Sequence, residues 1–324
     1  MGERVVRSKT LRANRAGPNR ALLALATAAA CSAFPLSAVL WVHFGEKPFS
    51  ASAFLAGLSL GPCLAAYGLV ATRHKQFVRK MVLLSGGLSI LSLPLLGRVN
   101  VDLEAFFMLL LLGSGGAAIG HTMVTVIAGP IIFGRVLCGW GCWRAMALEW
   151  LPIRGSPGRR GGYWGMLPYC SLLGSVAIAG FCVFVRRESP GGTPGMMHTA
   201  GLGTSATIVA LYYAASIALG FAMKDARAFC KYACPSAAIL KVTSRLAVFK
   251  MTANRALCDA CGACSRVCPM DIDVARCVIE ERHVGSGECI LCQRCAQACP
   301  ASALRLAARF GSRGGQGPKA RGHE

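Results

Sequence analysis

The sequence predicts a mainly α protein in which a polytopic membrane bundle of about six helices precedes a small C-terminal α+β domain. Hydrophobic residues make up 54% of the 324 residues and charged residues only 15%, and many of the 17 cysteines lie in tight runs. This composition does not suit two soluble domains. The predicted parts are a basic N-terminus (1–20), a transmembrane domain (21–250), the α+β domain (251–310) and a disordered basic tail (311–324).

Six stretches without Asp, Glu, Lys or Arg are long enough, or nearly so, to cross about 30 Å of hydrocarbon as helices. They run over 21–44, 51–72, 81–97, 105–134, 161–185 and 200–223. The fourth stretch is overlong and contains several glycines and Pro130, which predicts a tilted, kinked or partly re-entrant helix. The first is predicted to be an uncleaved anchor rather than a signal peptide, because its apolar run exceeds an ordinary signal core.

Basic residues give the predicted orientation. Alternate connections (1–20, 73–80, 135–160 and 224–250) carry twenty-one Lys and Arg, whereas the intervening ones (45–50, 98–104 and 186–199) carry four. Because basic residues beside a span stay in the cytoplasm, we predict a multi-pass protein of the bacterial inner membrane with both termini and the α+β domain cytoplasmic. Most of the net charge of +21 then comes from the basic residues that orient the spans, so no nucleic-acid partner is needed to explain it.

Two matching cysteine motifs follow the last predicted span. CDACGACSRVCP begins at Cys258 and CILCQRCAQACP at Cys289, and each reads Cys-x2-Cys-x2-Cys-x3-Cys-Pro. This spacing is typical of 4Fe-4S clusters, for which three thiolates come from one tight loop and the fourth reaches the other cluster. We therefore predict two 4Fe-4S clusters in a ferredoxin-like domain. The first ligand set is Cys258, Cys261, Cys264 and Cys299, and the second ligand set is Cys289, Cys292, Cys295 and Cys268.

Zinc and disulfides are weaker interpretations of these motifs. Structural zinc sites favour two well-separated cysteine pairs, and a reducing cytosol opposes disulfides.

Two further cysteine pairs follow the fourth and sixth predicted spans. GRVLCGWGCWRAMAL begins at Gly134 and ARAFCKYACPSAAIL at Ala226, and their shared positions keep an offset of 92, which predicts an internal repeat. A pseudo-two-fold axis normal to the membrane follows. The four repeat cysteines, which could meet at one redox or metal site, are Cys138, Cys142, Cys230 and Cys234. A further metal or cluster, a reversible dithiol and simple packing all stay open for them.

In these motifs the chain resembles the NapH family of ferredoxin-type membrane proteins, which includes MauN and is similar in its core to NosR-like and CcoG-like polyferredoxins. The resemblance covers roughly residues 78 to 310 and rests on two Cys-x3-Cys elements after transmembrane helices, followed by two 4Fe-4S motifs. It implies a quinol dehydrogenase component that passes electrons between the quinone pool, or a membrane partner, and a redox enzyme or its maturation apparatus. One departure is Trp143, which stands where the family has Pro.

Two isolated polar residues stand out in the membrane domain. His121 lies within the fourth apolar stretch and is a candidate quinone contact, although a neutral histidine bonded to a neighbouring helix is an equally open interpretation. Glu149 lies in a basic connection, where it either neutralises its neighbours or accepts a proton.

The predicted function is transfer of single electrons through iron–sulfur clusters, with the lipid bilayer and a redox partner protein or quinone as partners. We predict no catalytic residues, since the clusters themselves carry out the transfer. The sequence holds no Walker A loop and no strand-embedded Gly-x-Gly-x-x-Gly that would favour nicotinamide binding. An iron–sulfur accessory, maturation or sensor protein is the alternative. A transporter is disfavoured, because the spans contain no charged residue to line a pathway.

Overall fold

The computed structural model describes residues 67, 70–96, 102–113, 117–153, 155–187, 202–280, 284 and 287–308. The predicted first span, most of the second and the predicted tail lie outside these residues. The chain divides into two compact units between Ser89 and Ile90. All the cysteine motifs belong to the second unit, residues 90–324.

Helices dominate the described residues, and two strands lie near the C-terminus. The α-helices are α1 (Lys75–Leu96), α2 (Leu103–Leu111), α3 (Ala117–Thr122), α4 (Gly129–Phe133), α5 (Val136–Trp140), α6 (Trp143–Leu148), α7 (Leu167–Arg187), α8 (Leu202–Met223), α9 (Pro235–Thr243), α10 (Ala263–Arg266), α11 (Val274–Ile279) and α12 (Arg294–Ala298). The strands are β1 (Phe249–Ala253) and β2 (Leu304–Ala308). Shorter elements are π-helical turns at Met123–Ala128 and Phe229–Ala233 and 3-10 turns at Thr72–His74, Gly162–Gly165, Ser244–Leu246 and Arg255–Leu257.

Two of the described helices are long and apolar enough to cross a membrane, judged by length and composition. They are α7 and α8, which coincide with the predicted fifth and sixth spans. Many of their large apolar side chains are exposed, among them Leu173 on α7 and Leu211 on α8. The structure is mostly helical as predicted, but the count of about six spans is not confirmed.

The fourth apolar stretch (105–134) is broken rather than straight. Its first part, α2, ends in a turn at Gly113, whose φ of +63° favours glycine. Its second part runs through α3, the π-helical turn and α4. Pro130 has no N–H to donate, and the wider π-helical turn ends directly before α4. The segment is therefore interrupted by a turn and a π-helical turn rather than forming one regular helix.

One buried ion pair joins two connections that were predicted on opposite faces of the membrane, and the predicted sides are not confirmed. Arg144 donates from Nη2 to Oδ1 of Asp102 over 2.9 Å, and both side chains are buried. Asp102 and Arg144, which lie in these two connections, therefore contact each other. The physical reason is that a buried guanidinium needs a buried carboxylate, and Asp102 supplies it.

The α+β domain is closed by its two strands. Strand β1 pairs antiparallel with β2, with Met251 opposite Leu306. Because β1 precedes the first motif and β2 follows the second, this pairing holds both motifs in one small domain. Buried apolar side chains on β1, α11 and β2 form the core, including Met251, Val274, Val278 and Leu304.

The two Cys-x3-Cys elements share a local backbone conformation, as an internal repeat requires. Cys142 is the N-cap of α6 with φ −72° and ψ 123°, and Cys234 is the N-cap of α9 with φ −72° and ψ 117°. Trp143 occupies the first helical position that Pro235 occupies in the other element. The departure from the family pattern at Trp143 thus leaves the turn unchanged.

Glu288, the residue before Cys289, joins the α+β domain to the first Cys-x3-Cys element. Its carboxylate lies 2.6 Å from Arg135, 2.8 Å from Arg159 and 2.9 Å from Lys241. Burial acts to raise the pKa of Glu288, but these three cations outweigh it and hold the pKa below its ordinary value. The ionised carboxylate fixes the start of the second motif.

Lys231 joins the same domain to the second Cys-x3-Cys element. Its Nζ atom is fully buried and lies 2.6 Å from Oδ2 of Asp225 and 2.6 Å from Oδ2 of Asp271. Asp271 follows Cys268, the last cysteine of the first motif, by three residues. Both elements therefore contact the backbone loops that carry the second ligand set.

Glu149 forms a third bridge. Its buried carboxylate accepts hydrogen bonds from Arg227 in the second Cys-x3-Cys element and, over 2.8 Å, from Arg294 at the start of α12. This geometry agrees with the interpretation that Glu149 neutralises its basic surroundings.

Close backbone contact completes this interface. The indole N–H of Trp140 donates to the carbonyl of Leu291 over 3.0 Å. A Cβ atom on Gly139 would lie 2.3 Å from the carbonyl oxygen of Ile290, which is closer than atoms can approach. Glycine at 139 is therefore required for the α+β domain to approach α5 this closely.

Replacement of Gly139 tests this contact. We expect Gly139→Ala to destabilise the protein by about 1–3 kcal/mol, because the new methyl group forces the two backbones apart. Gly141→Ala is the matched control, since its Cβ atom would meet only a Leu137 methyl group at 3.7 Å. Thermal unfolding of the anaerobic protein, followed by circular dichroism, measures both. Equal melting temperatures for the two variants would contradict the contact.

Candidate iron–sulfur centres

The eight cysteines of the two motifs line two cavities. The first ligand set, with three cysteines of the first motif and Cys299 of the second, lines a cavity of about 370 Å³. The second ligand set, with three cysteines of the second motif and Cys268 of the first, lines a cavity of about 340 Å³. The structure thus brings together the same two groups of four that the crossed spacing predicts. Ligation of iron by them stays a prediction.

Equivalent residues of the two motifs turn the backbone around each cavity. In the first motif Ala260 and Gly262 have φ values of 53° and 69°, and in the second motif Leu291 and Gln293 have values of 52° and 58°. Left-handed residues between the first three cysteines reverse the chain direction over a very short distance. Three thiols of one motif can therefore face a single cavity.

Backbone N–H groups and burial set the electrostatics of these thiols. Ala260 donates its N–H to Sγ of Cys258 over 3.4 Å, and Ala303 donates to Sγ of Cys299 over 3.3 Å. Burial raises the pKa of Cys289 to about 12, although a backbone N–H opposes it. Such a buried thiol needs cationic ligation to become a thiolate, and N–H bonds to sulfur tune the reduction potential of a cluster.

The cavities fit polynuclear clusters. The thiols line apolar cavities, whose walls include Val278 and Leu304 in the first and Met251 and Val284 in the second. Four thiols around one apolar cavity are the donors that a 4Fe-4S cluster requires.

The four repeat cysteines also come together. The Cys142 thiol interacts with the thiols of Cys138 and Cys230, and the Cys230 thiol interacts with that of Cys234. Burial, reinforced by the neighbouring thiols, raises the pKa of Cys142 to about 12. The two pairs therefore lie near each other, and a shared redox or metal site stays a prediction.

Cys138 connects this group with the second cavity. It packs against a buried cluster of Met270, Ile290 and Cys292, in which Cys268 also takes part. Two members of the second ligand set thus share one apolar contact region with a repeat cysteine. The larger apolar cluster around Met251 and Val274 contains cysteines of both ligand sets.

His121, the candidate quinone contact, lies in α3, but its side chain is outside the described residues. Its role in binding quinone stays a prediction.

Several residues that build the site carried no signal in the sequence. Glu288 and Asp271 are single acids beside the motifs, and their partners are distant in the chain. Arg135 and Arg227 occupy equivalent repeat positions, which was the one available hint for the basic side chains.

Residues 250–300 match the 4Fe-4S dicluster domain family. Three curated relatives share parts of the chain. "Uncharacterized protein MJ0749" of Methanocaldococcus jannaschii is 31% identical over 102 residues, which cover 32% of this chain and 38% of the relative. "Putative electron transport protein YccM" of Escherichia coli is 40% identical over 73 residues, which cover 22% of this chain and 19% of the relative. "Uncharacterized protein MJ0750" of M. jannaschii is 27% identical over 223 residues, 63% of this chain and 84% of the relative.

The chain spans less than two fifths of the length of MJ0749 and of YccM. None of the solved structures matches it. The family match and the likeness to YccM agree with the cysteine geometry. Residues 250–300 therefore carry a ferredoxin-type 4Fe-4S dicluster domain.

Proposed function

We propose that this protein is anchored in a membrane and relays single electrons between the quinone pool, or a membrane partner, and a redox enzyme system. The observation that carries the proposal is the contact of the second ligand set with the two Cys-x3-Cys elements. One element precedes α7 and the other directly follows α8, the two helices apolar enough to cross a membrane. Electrons leaving the dicluster domain on this side would reach the anchor.

Exposed apolar surface supports the membrane anchor. On α7, Leu173, Phe181 and Phe184 are 69%, 68% and 64% exposed, and on α8 Leu211 is 64% exposed. Exposed surface of this kind is costly in water and favourable in lipid. The excess of Lys and Arg in alternate connections supports a multi-pass protein of the bacterial inner membrane, with the dicluster domain and both termini cytoplasmic.

The residues of this chain position and insulate the clusters rather than react with a substrate. When bound, the clusters supply one-electron chemistry. The thiols of each ligand set would hold the irons, and the backbone N–H groups of Ala260 and Ala303 would stabilise negative charge on sulfur. Apolar side chains such as Met251 and Leu304 line the cavities. These features tune the potentials without an acid, base or nucleophile in the protein.

The quinone partner and the NapH-like assignment belong to this proposal. They are supported by the order of the cysteine elements along the chain and by the printed name of YccM, which describes electron transport.

Iron analysis of a ligand variant tests the cluster assignment. We expect Cys295→Ala to lose about four irons per chain relative to the unaltered protein, because its cavity loses one of four thiolates. Cys277→Ala is the control, since Cys277 lies in the same domain but lines neither described cavity. Iron and acid-labile sulfide in anaerobically purified protein provide the measurement. Equal iron in both variants would remove Cys295 from the ligand set.

Reduction by quinol tests the relay. Full-length protein in liposomes is mixed anaerobically with a short-chain quinol, and cluster reduction is followed by visible bleaching and EPR. We expect reversible reduction by the quinol and reoxidation by the matching quinone. Two results together would favour the accessory alternative. The clusters would be reduced by dithionite but by no quinol, and deletion of the protein from cells would block maturation of another redox enzyme.

A further inference from the structure

The four repeat cysteines are surrounded by buried arginines from both repeats. Arg135 lies near the thiols of Cys138 and Cys234, which act with Glu288 against the effect of burial to raise its pKa. Arg144 lies near the thiols of Cys142 and Cys234, which act with Asp102 on its pKa in the same direction. Each arginine is thus close to thiols of both repeats.

Arg227 is the third buried arginine near the four repeat cysteines. It donates from Nη1 to the carbonyl of Cys138 over 3.0 Å and lies 3.9 Å from Sγ of Cys230. The side chains of Arg135, Arg144 and Arg227 are all buried. Three buried guanidinium groups around four thiols create a strongly positive site.

Two of these guanidinium groups have an unused donor. The Nε atoms of Arg135 and Arg144 are buried without a hydrogen-bond partner in the part of the chain that the structure describes. An unpaired buried N–H costs about 1–3 kcal/mol, and more on a charged group. A sulfur-rich anion between the two repeats would offer both groups an acceptor.

The net charge of the surrounding ion pairs points the same way. Around the repeat elements, seven basic side chains are paired with five acidic ones. The bases are Arg135, Arg144, Arg159, Arg227, Lys231, Lys241 and Arg294, and the acids are Asp102, Glu149, Asp225, Asp271 and Glu288. An iron–sulfur core with four thiolate ligands carries net negative charge and would offset this excess.

We propose that the four repeat cysteines hold a third iron–sulfur cluster, adjacent to the cluster of the second ligand set. Both 2Fe-2S and 4Fe-4S clusters take four cysteine thiolates, so the shared chemistry is a four-thiolate iron–sulfur core. This inference rests on the proposed electron-transfer function and adds the next carrier to it.

The placement of Cys138 gives the order of the carriers. Cys138 packs with Cys268 and Cys292 in one apolar cluster, so the second ligand set is the neighbour of the new centre. A cluster held by the four repeat cysteines would exchange one electron at a time with the cluster held by the second ligand set, one being oxidised as the other is reduced, in either direction.

Iron content and Mössbauer spectroscopy of full-length, anaerobically purified protein enriched in ⁵⁷Fe test the proposal. We expect about ten irons per chain for a 2Fe-2S centre or about twelve for a 4Fe-4S centre, and both results support it. The double variant Cys142→Ala/Cys234→Ala should fall to about eight irons, with the dicluster signals retained. The matched control is Cys170→Ala/Cys182→Ala, two cysteines of α7 that should leave the iron content unchanged.

A magnetic readout makes the result independent of iron counting. In the fully reduced protein, a paramagnetic third cluster beside the second ligand set should broaden the EPR signal of that neighbour more than that of the first. The broadening should vanish in the double variant. If that variant does not fold, the unaltered protein still decides the question through its third Mössbauer component and its EPR interaction.

Other results would overturn the proposal. About eight irons, all accounted for by the two dicluster centres, would leave the repeat cysteines without a cluster while the proposed function stands. A single zinc ion or a disulfide at these cysteines would do the same. Protein that is folded but wholly free of iron would defeat the proposed function as well, so the two failures are distinguishable.

Discussion

The pairing of buried charges determines where the dicluster domain lies. Lys231, Arg135 and Arg227 are almost wholly removed from solvent, and each has a carboxylate within bonding distance. A buried cation without such a partner would be strongly unfavourable, so the chain can bury these side chains only where acids reach them. For Arg135 that acid is Glu288, and for Lys231 one of the two is Asp271. Because each of these acids lies beside a cysteine loop, the ion pairs also fix the positions of those loops.

These ion pairs are better explained by specificity than by stability. Removing two charges from water costs about as much as their attraction returns, whereas losing one partner of a buried pair costs about 3–5 kcal/mol. Net stabilisation comes instead from apolar contacts, such as those around Met251 and Val274. A domain rotated or shifted on α5 would leave Glu288 facing no cation. The charges thus exclude other arrangements of the same apolar surfaces, and the tight contact at Gly139 reinforces them.

Local chemistry was predictable from the sequence, and distant pairing was not. Ligand spacing depends on a few consecutive residues, so the motifs at Cys258 and Cys289 together already predicted the two groups that line the cavities. The offset between Cys138 and Cys230 likewise predicted two similar turns. Hydropathy predicted candidate spans but not the contact between Arg144 and Asp102, because that contact depends on how the broken segment packs. Glu288 had no pattern of its own, since its three cations are distant in the chain.

The repeat is symmetric in its cysteines and asymmetric in what lies between them. Gly139 and Lys231 occupy equivalent positions, yet the glycine admits the Ile290 backbone and the lysine reaches Asp271. Both contacts fall on the loops of the second ligand set, so the two repeats hold one side of the dicluster domain rather than one motif each. Two equivalent elements that contact two different loops need different side chains at the equivalent position. Divergence at this position, with the thiol positions retained, is what such an interface requires.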